Sequence, residues 1–537
     1  MSSTASTKKV NLADPLSLSE MVAQLVVVRA SGHLFDSQIA YPHWEPPAAK
    51  LRHWVQDLNV GGVILLGGSA PEVALRVQQL QSWAETPLLM AADIEEGVGQ
   101  RFGGASWFPP PMALGAIAAQ QGLSVACQLA RQFGEATARE ALAIGLNWVL
   151  APVADVNNNP QNPVINVRAF GDDPSAVSQL VTAFIDGAQS QPVLACAKHF
   201  PGHGDTAIDS HLELPSLEVD RNRLETVELA PFRAAIAAGV ATIMSGHLRV
   251  PAWDDRQPAT TSPAILQGQL RDRLGFEGLI ATDALIMGAL APVAAPEELP
   301  ILALEAGADI LLMPADPEAA ISAVVAAVES GRLPVARVRA SYDRVAAAKA
   351  KLVPAPSPQA LPDALDRPET TAVVEKILTS SLQWGGILPA AATANLIVTA
   401  DDLLGCDYLS RSAPAIAWPQ QFGCTAQIWD CERFVTGEIE PGTLLQLFAR
   451  GNPFRGRAGL PTEAWQRLVQ LLAAHRLGGV ILYGSPYLLD ALKPHLGSQN
   501  KTTWAFSYGQ MPAAQAIALQ KILAWEQPPT TTPENFL

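Results

Sequence analysis

The sequence predicts an α/β protein: an N-terminal (β/α)8 barrel of the TIM type, followed by a smaller C-terminal α/β domain. Three observations carry this. Eight short apolar runs alternate with longer amphipathic stretches over the first 350 or so residues, a Pro-rich segment follows, and a second, shorter set of runs and helical stretches fills the remainder. A chain of 537 residues also exceeds the usual size of one domain. The expected division is a barrel over 1–352, a linker over 353–369 and a C-terminal domain over 370–537.

The eight runs lie at 25–28, 62–66, 88–92, 147–151, 194–197, 241–244, 279–282 and 309–313. They are continuously apolar, as strands covered by helices on the sheet's faces must be. Helix-like stretches at 121–142, 175–189, 224–238 and 317–330 lie between or after them. Eight such units suit a closed barrel, although a doubly wound open sheet gives the same periodicity. The segment from 353 to 368 holds five prolines and reads as a linker. Beyond it, runs at 395–398, 479–482 and 504–506 and helical stretches at 462–474 and 513–525 indicate a second α/β unit. The Pro/Thr-rich tail from 527 is expected to fray, and no internal repeat is evident.

Composition excludes several classes. The net charge is −15, and no basic run exists to neutralise phosphates, which argues against nucleic acid as a partner. The longest apolar stretch, 279–295, contains Asp283 and Pro292 and is too short to span a bilayer. No secretory apolar region follows Lys8 and Lys9, and the five cysteines (127, 196, 406, 424 and 431) are odd in number and lack CxxC spacing. Free thiols in a reducing, cytoplasmic setting are the expectation.

The chemistry-bearing residues concentrate in Lys198-His199-Phe200-Pro201-Gly202-His203-Gly204-Asp205-Thr206 and in Asp209-Ser210-His211. This cluster is read as starting where the fifth strand gives way to a Gly-Pro loop. Other polar residues also fall just after strands: Asp93 with Glu95, Glu96 and Arg101, then Asp155, Asn157 and Arg168, then His247, then Asp283. A single Asp after a strand is more often a helix cap than a catalyst. Many of them on one barrel face reverse that preference, because barrel enzymes build their sites at the C-terminal strand ends. Two chemistries compete for this set. A metal hydrolase would use His199, His203, His211 and an Asp as ligands. A sugar-processing enzyme would use a carboxylate nucleophile, a proton shuttle and charged groups gripping hydroxyls. Spacing leaves both open, and Lys198 with the two Arg weighs against a divalent cation nearby.

Lys-His-Phe-Pro-Gly-His-Gly at 198–204 with Asp-Ser-His at 209–211 resembles the signature of glycoside hydrolase family 3, in particular its β-N-acetylglucosaminidases. Asp93…Gln100-Arg101-Phe102, Ala151-Pro152-Val153-Ala154-Asp155-Val156-Asn157, Arg168-Ala169-Phe170-Gly171 and Thr282-Asp283-Ala284-Leu285 extend the resemblance over about residues 15–350. The resemblance implies a cofactor-free, retaining exo-β-N-acetylglucosaminidase without a metal. Asp283 would be the nucleophile, and His211 the acid/base with Asp209 as its partner. Asp93, Arg101, Arg168, Lys198 and His199 would bind the terminal GlcNAc. Peptidoglycan fragments are the implied substrates. Within the family, a phosphorylase or a β-glucosidase is the alternative, and a non-catalytic glycan sensor is the alternative outside enzymes.

Several residues read as support rather than chemistry. His203 is expected to brace its loop, Asp205 and Glu213 to be solvated loop charges, and Cys196 to be packed in its strand. The chain departs from the family's Asp-x-Glu-Gly-Gly-Arg pattern: Glu96 stands where Gly is expected and Val98 where Arg is expected. The C-terminal region resembles the family's αβα sandwich only through 482–487 and 506–509, and no catalytic residue is assigned there.

Overall fold

The computed structural model describes residues 16–354, 361–386, 392, 394–400, 406, 408–451, 458–496 and 502–523. Eight strands, β1 (Val26–Ser31), β2 (Gly62–Leu66), β3 (Leu89–Ala92), β4 (Trp148–Val149), β5 (Leu194–Phe200), β6 (Thr242–Ser245), β7 (Leu279–Thr282) and β8 (Leu311–Leu312), form one parallel sheet. Their order is β7-β6-β5-β4-β3-β2-β1-β8. The ends meet: Ala281 bridges Ile310, and the Thr282 N–H donates to the Ile310 carbonyl at 3.0 Å. The sheet is therefore a barrel, and the open doubly wound alternative is excluded.

Burial explains why the apolar runs become strands. Every residue of β3, β5, β6 and β7 is buried, between the barrel interior and the surrounding helices. The helices begin where the sequence supplies caps. Ser69, Asp173 and Asp316 accept backbone N–H bonds at the starts of Ala70–Trp83, Pro174–Ala188 and Pro317–Glu329, each with Pro in the first turn. The fifth strand is longer than expected. Lys198 and His199 lie within β5 rather than in the loop after it.

The second domain is a six-stranded sheet ordered β11-β10-β12-β13-β14-β9. Its strands are β9 (Gln383–Gly385), β10 (Ala394–Thr399), β11 (Thr425–Asp430), β12 (Thr443–Ala449), β13 (Leu477–Gly484) and β14 (Thr503–Ser507), all parallel except the edge strand β9. Three of them match the expected apolar runs. The strands β9, β11 and β12 were not legible as such: β9 is three residues long, β11 is an edge strand with mostly exposed residues, and Gln446 interrupts the apolar character of β12. The helices Thr462–Ala473 and Pro512–Leu523 fall where expected. Within the Pro-rich 353–369 segment, 355–360 lie outside the described residues, while Leu361–Ala364 is helical with Leu361 buried. The tail from 527 also lies outside them.

Among the described residues no helix is long and apolar enough to cross a membrane, and the five cysteines are unbridged.

Candidate active site

The polar residues singled out above gather at the C-terminal mouth of the barrel. At its centre is a buried charge quartet. Lys198 Nζ on β5 lies 2.7 Å from Asp93 Oδ1 and 2.6 Å from Glu95 Oε1, both from the loop after β3. Arg168, from the loop after β4, grips Glu95 with Nε at 2.7 Å and Nη2 at 2.8 Å. Lys198 and Glu95 are almost fully buried, whereas the Asp93 side chain is 38% exposed and opens the quartet to the mouth. Burial works against the charge on Glu95, but Arg168 and Lys198 outweigh it and hold its carboxyl well below the usual range. Burial likewise opposes the Lys198 charge, and Asp93 and Glu95 more than restore it. Arg101 is exposed at the rim, with Nε donating to the Asp93 carbonyl at 3.0 Å. Glu95 was noted beside Asp93 but given no role, and no local pattern distinguishes it from Glu96.

A local irregularity lets β5 contribute two neighbouring side chains. Lys198 pairs with Met244 and Phe200 with Ser245, so His199 has no opposite number on β6. In a regular strand consecutive side chains face opposite ways, and a bulge removes that restriction. Lys198 thus reaches the β3 loop while His199 reaches Asp155 after β4.

Asp155 is the hub of the β5 loop. Fully buried, it accepts the His203 N–H at 2.7 Å and the His199 N–H at 3.2 Å, and its Oδ2 lies 2.8 Å from His199 Nδ1. A carboxylate only accepts, so Nδ1 carries the proton and Nε2 is left for a ligand. His203 is buried beneath this loop with Nδ1 against Thr206 Oγ1 at 2.7 Å, as a brace would be. Burial pulls the His203 pKa down to about 4. Gly204 packs so tightly that a Cβ would sit 1.8 Å from the Val156 carbonyl oxygen. Asp205 is a partly exposed loop charge, and it pairs with Arg223 Nη2 at 3.3 Å. Cys196 is packed within β5, and burial pushes its thiol up to about 12.

Downstream, Asp209 is buried and accepts both the His211 N–H and the ring contact from Nδ1 at 2.9 Å. This loop lies on the one that follows Asp283. The Gly288 N–H donates to the His211 carbonyl at 3.3 Å, and a Cβ at Gly288 would stand 2.9 Å from that oxygen. Asp283 directly follows β7, and its Oδ1 accepts the Ala284 N–H at 2.7 Å. Burial would raise its pKa, but His247, His199, His211 and that N–H together hold it at about 2. Asp283 is therefore a carboxylate at neutral pH. His247, fully buried, is fixed by Thr260 Oγ1 at 2.7 Å and by the Ala284 carbonyl at 3.0 Å, so it clamps the residue after Asp283. Among the described residues no group of three His, Cys, Asp or Glu side chains is arranged to hold a metal ion.

The departure at Glu96 also has a place. Its carboxylate turns away from the quartet, accepts the Trp107 indole N–H at 3.0 Å and meets Arg450 of the second domain at 2.8 Å. A second cross-domain contact joins Tyr487 Oη to Asn157 Nδ2 at 2.7 Å.

A closed (β/α)8 barrel with charged and imidazole side chains gathered at the C-terminal ends of its strands defines the class of barrel enzymes. The family comparison makes this particular. Residues 17–348 match the model of the glycosyl hydrolase family 3 N-terminal domain, and 387–524 match that of the bacterial glycosyl hydrolase family 3 C-terminal domain. The chain belongs to glycoside hydrolase family 3 and is a glycoside hydrolase. It is 30% identical over 438 residues to a β-N-acetylglucosaminidase/β-glucosidase of Cellulomonas fimi, covering 78% of this chain and 74% of that one. It is 38% identical over 276 residues to a β-hexosaminidase of Thiobacillus denitrificans, covering 50% and 75%. A solved family 3 β-N-acetylglucosaminidase from a Paenibacillus species superposes with a TM-score of 0.78 at 29% identity, covering 95% and 97% of the two chains.

Proposed function

We propose that the chain is a retaining exo-β-N-acetylglucosaminidase. The observation that carries this reading is that the loop holding the carboxylate-braced His211 lies against the loop that follows Asp283, joined by the Gly288 N–H and the His211 carbonyl. Asp283 attacks the anomeric carbon while His211 Nε2 gives its proton to the departing oxygen. A covalent glycosyl-aspartate forms. His211 then takes a proton from the incoming water, whose oxygen displaces the Asp283 carboxylate and restores the β configuration. An imidazole, with an ordinary pKa of about 6.5, needs no large shift to exchange protons near neutrality.

Asp93, Arg168, Lys198 and His199 would hold the sugar's hydroxyls and acetamide, with Arg101 at the rim. Similarity to the Paenibacillus β-N-acetylglucosaminidase and the Thiobacillus β-hexosaminidase supports GlcNAc as that sugar, while the Cellulomonas relative is named for β-glucosidase activity as well. GlcNAc-terminated peptidoglycan fragments are the proposed source.

The test is release of nitrophenol from β-GlcNAc and β-glucoside substrates by wild type and Asp283→Asn, with and without phosphate. Preferential, phosphate-independent cleavage of the β-GlcNAc substrate, lost in the variant, is expected. No GlcNAc release by wild type, or full activity in Asp283→Asn, would overturn the reading. Acceleration by phosphate with a sugar phosphate as product would replace hydrolysis by phosphorolysis.

A further inference from the structure

Building on the glycosidase reading, we infer that Arg450 of the second domain is a positioning residue for sugar binding, acting through Glu96 on the Glu95–Arg168–Lys198 cradle.

The geometry is a chain of short contacts. Glu95 and Glu96 are adjacent, both nearly fully buried, and face opposite partners. Glu95 holds Arg168 and Lys198 inside the barrel mouth, while Glu96 meets Arg450 at 2.8 Å outside it. The peptide between them is therefore pinned from both sides. The backbone of Glu96 is held as well: its N–H donates to Gln100 Oε1 at 2.9 Å, and its carbonyl accepts the Phe108 N–H at 2.7 Å. Arg450 is thus one of the contacts, with those of Trp107, Gln100 and Phe108, that together fix the turn from which Glu95 projects.

Arg450 lies just past the C-terminal end of β12, and the next residue touches the other half of the cradle. Gly451 sits so close to the loop after β4 that a Cβ would stand 2.9 Å from the Asn166 Cβ and 3.0 Å from the Pro163 carbonyl oxygen. Asn166 opens the Asn166–Arg168 turn, with φ +44. It is held in turn by Asn157, whose side chain accepts the Asn166 N–H at 2.9 Å and donates to Tyr487 Oη at 2.7 Å. Two consecutive residues of the second domain therefore bear on both loops whose side chains meet in the Glu95–Arg168 ion pair. Groups that grip a sugar equally in the ground and transition states supply uniform binding, so displacing them raises KM with kcat little changed.

The experiment measures kcat and KM for a panel of nitrophenyl glycosides, and the inhibition constant of free GlcNAc, well below the melting transition. The variants are Arg450→Ala, Arg450→Lys, Gly451→Ala and the pair Glu96→Gln/Arg450→Ala. Arg450→Ala and Gly451→Ala should raise KM and the GlcNAc inhibition constant together by about tenfold, with kcat held within about twofold. Arg450→Lys should recover most of the loss, and the double variant should fall close to Arg450→Ala, because the Glu96–Arg450 pair is already broken there. Wild-type KM in both single variants would overturn the proposal. So would a fall in kcat alone, which reports only fewer folded molecules. If wild type prefers another glycoside, the sugar assignment fails and the same KM comparison decides the proposal on that substrate. If it neither cleaves nor binds any of them, both readings fall.

Discussion

Glu95 can be removed as a charge without changing its shape, and Glu95→Gln tests the cradle most directly. The carboxylate makes contacts of 2.7 and 2.8 Å to Arg168 and 2.6 Å to Lys198, and its side chain is 3% exposed. With Asp93 the four formal charges sum to zero, two cations against two anions. The amide leaves a net positive charge among buried groups and, at best, one acceptor for two cations. Removing one partner of a buried ion pair costs about 3–5 kcal/mol, and the exposed Asp93 would offset part of this, so a loss of about 3 kcal/mol is expected. Each hydrogen bond that a charged group makes to substrate contributes roughly 1.5–3 kcal/mol, so misplacing Arg168 alone should lower kcat/KM by about 10- to 100-fold. Urea unfolding monitored by tryptophan fluorescence gives the first quantity, and Michaelis kinetics on nitrophenyl β-GlcNAc gives the second. Glu213→Gln, on the exposed part of the β5 loop, is the matched control. A stability loss below about 1 kcal/mol with unchanged KM would refute the idea that Glu95 organises the site, since that is the size of an exposed ion pair.

The other predictions follow from neighbouring groups. Asp283→Gly should lose turnover yet regain it with azide, and the product should be the α-glycosyl azide, identified by NMR; a β-azide would remove Asp283 as nucleophile. Asp209→Asn should lower kcat/KM by about 10- to 100-fold, less than His211→Ala, because general acid–base transfer as a whole contributes about 100- to 10,000-fold. His203 is buried neutral with its pKa near 4 against an ordinary 6.5. The unfolded chain therefore takes up this proton first as pH falls. Stability from this group is intact above pH 6.5 and is lost between 6.5 and 4, by about 3 kcal/mol in total. Denaturation midpoints across that range should fall in wild type and flatten in His203→Gln; equal slopes would remove His203 as the source.

Much of the barrel was legible because its strands are short, fully buried and uninterrupted, and because its motifs lie where strands end. Less was legible where a contact joins distant segments. Nothing local in Asp-Ile-Glu-Glu says that Glu95 turns inward to Arg168, 73 residues away, and Glu96 outward to Arg450, 354 residues away. Asp205 reads correctly as a loop charge, but its partner Arg223, 18 residues away, emerges only in the fold. The strand β12 escaped notice because Gln446 looks out of place in a core. In the fold it has partners: its amide donates to Asn395 Oδ1 at 2.8 Å and its oxygen accepts the Tyr483 hydroxyl at 3.0 Å.

The sequence by itself determined the fold class, the face on which chemistry gathers and the membership in family 3. These depend on local periodicity and on motifs a few residues long, where burial and capping act residue by residue. Tertiary structure alone decided that β5 bulges to present both Lys198 and His199, and that Asp155 anchors the loop beyond them. It also decided that the second domain touches the loops bearing Glu95 and Arg168. Those features exist only when charges far apart in the chain are brought within hydrogen-bond distance and shielded from water, where their attraction is strong and their unpaired state costly.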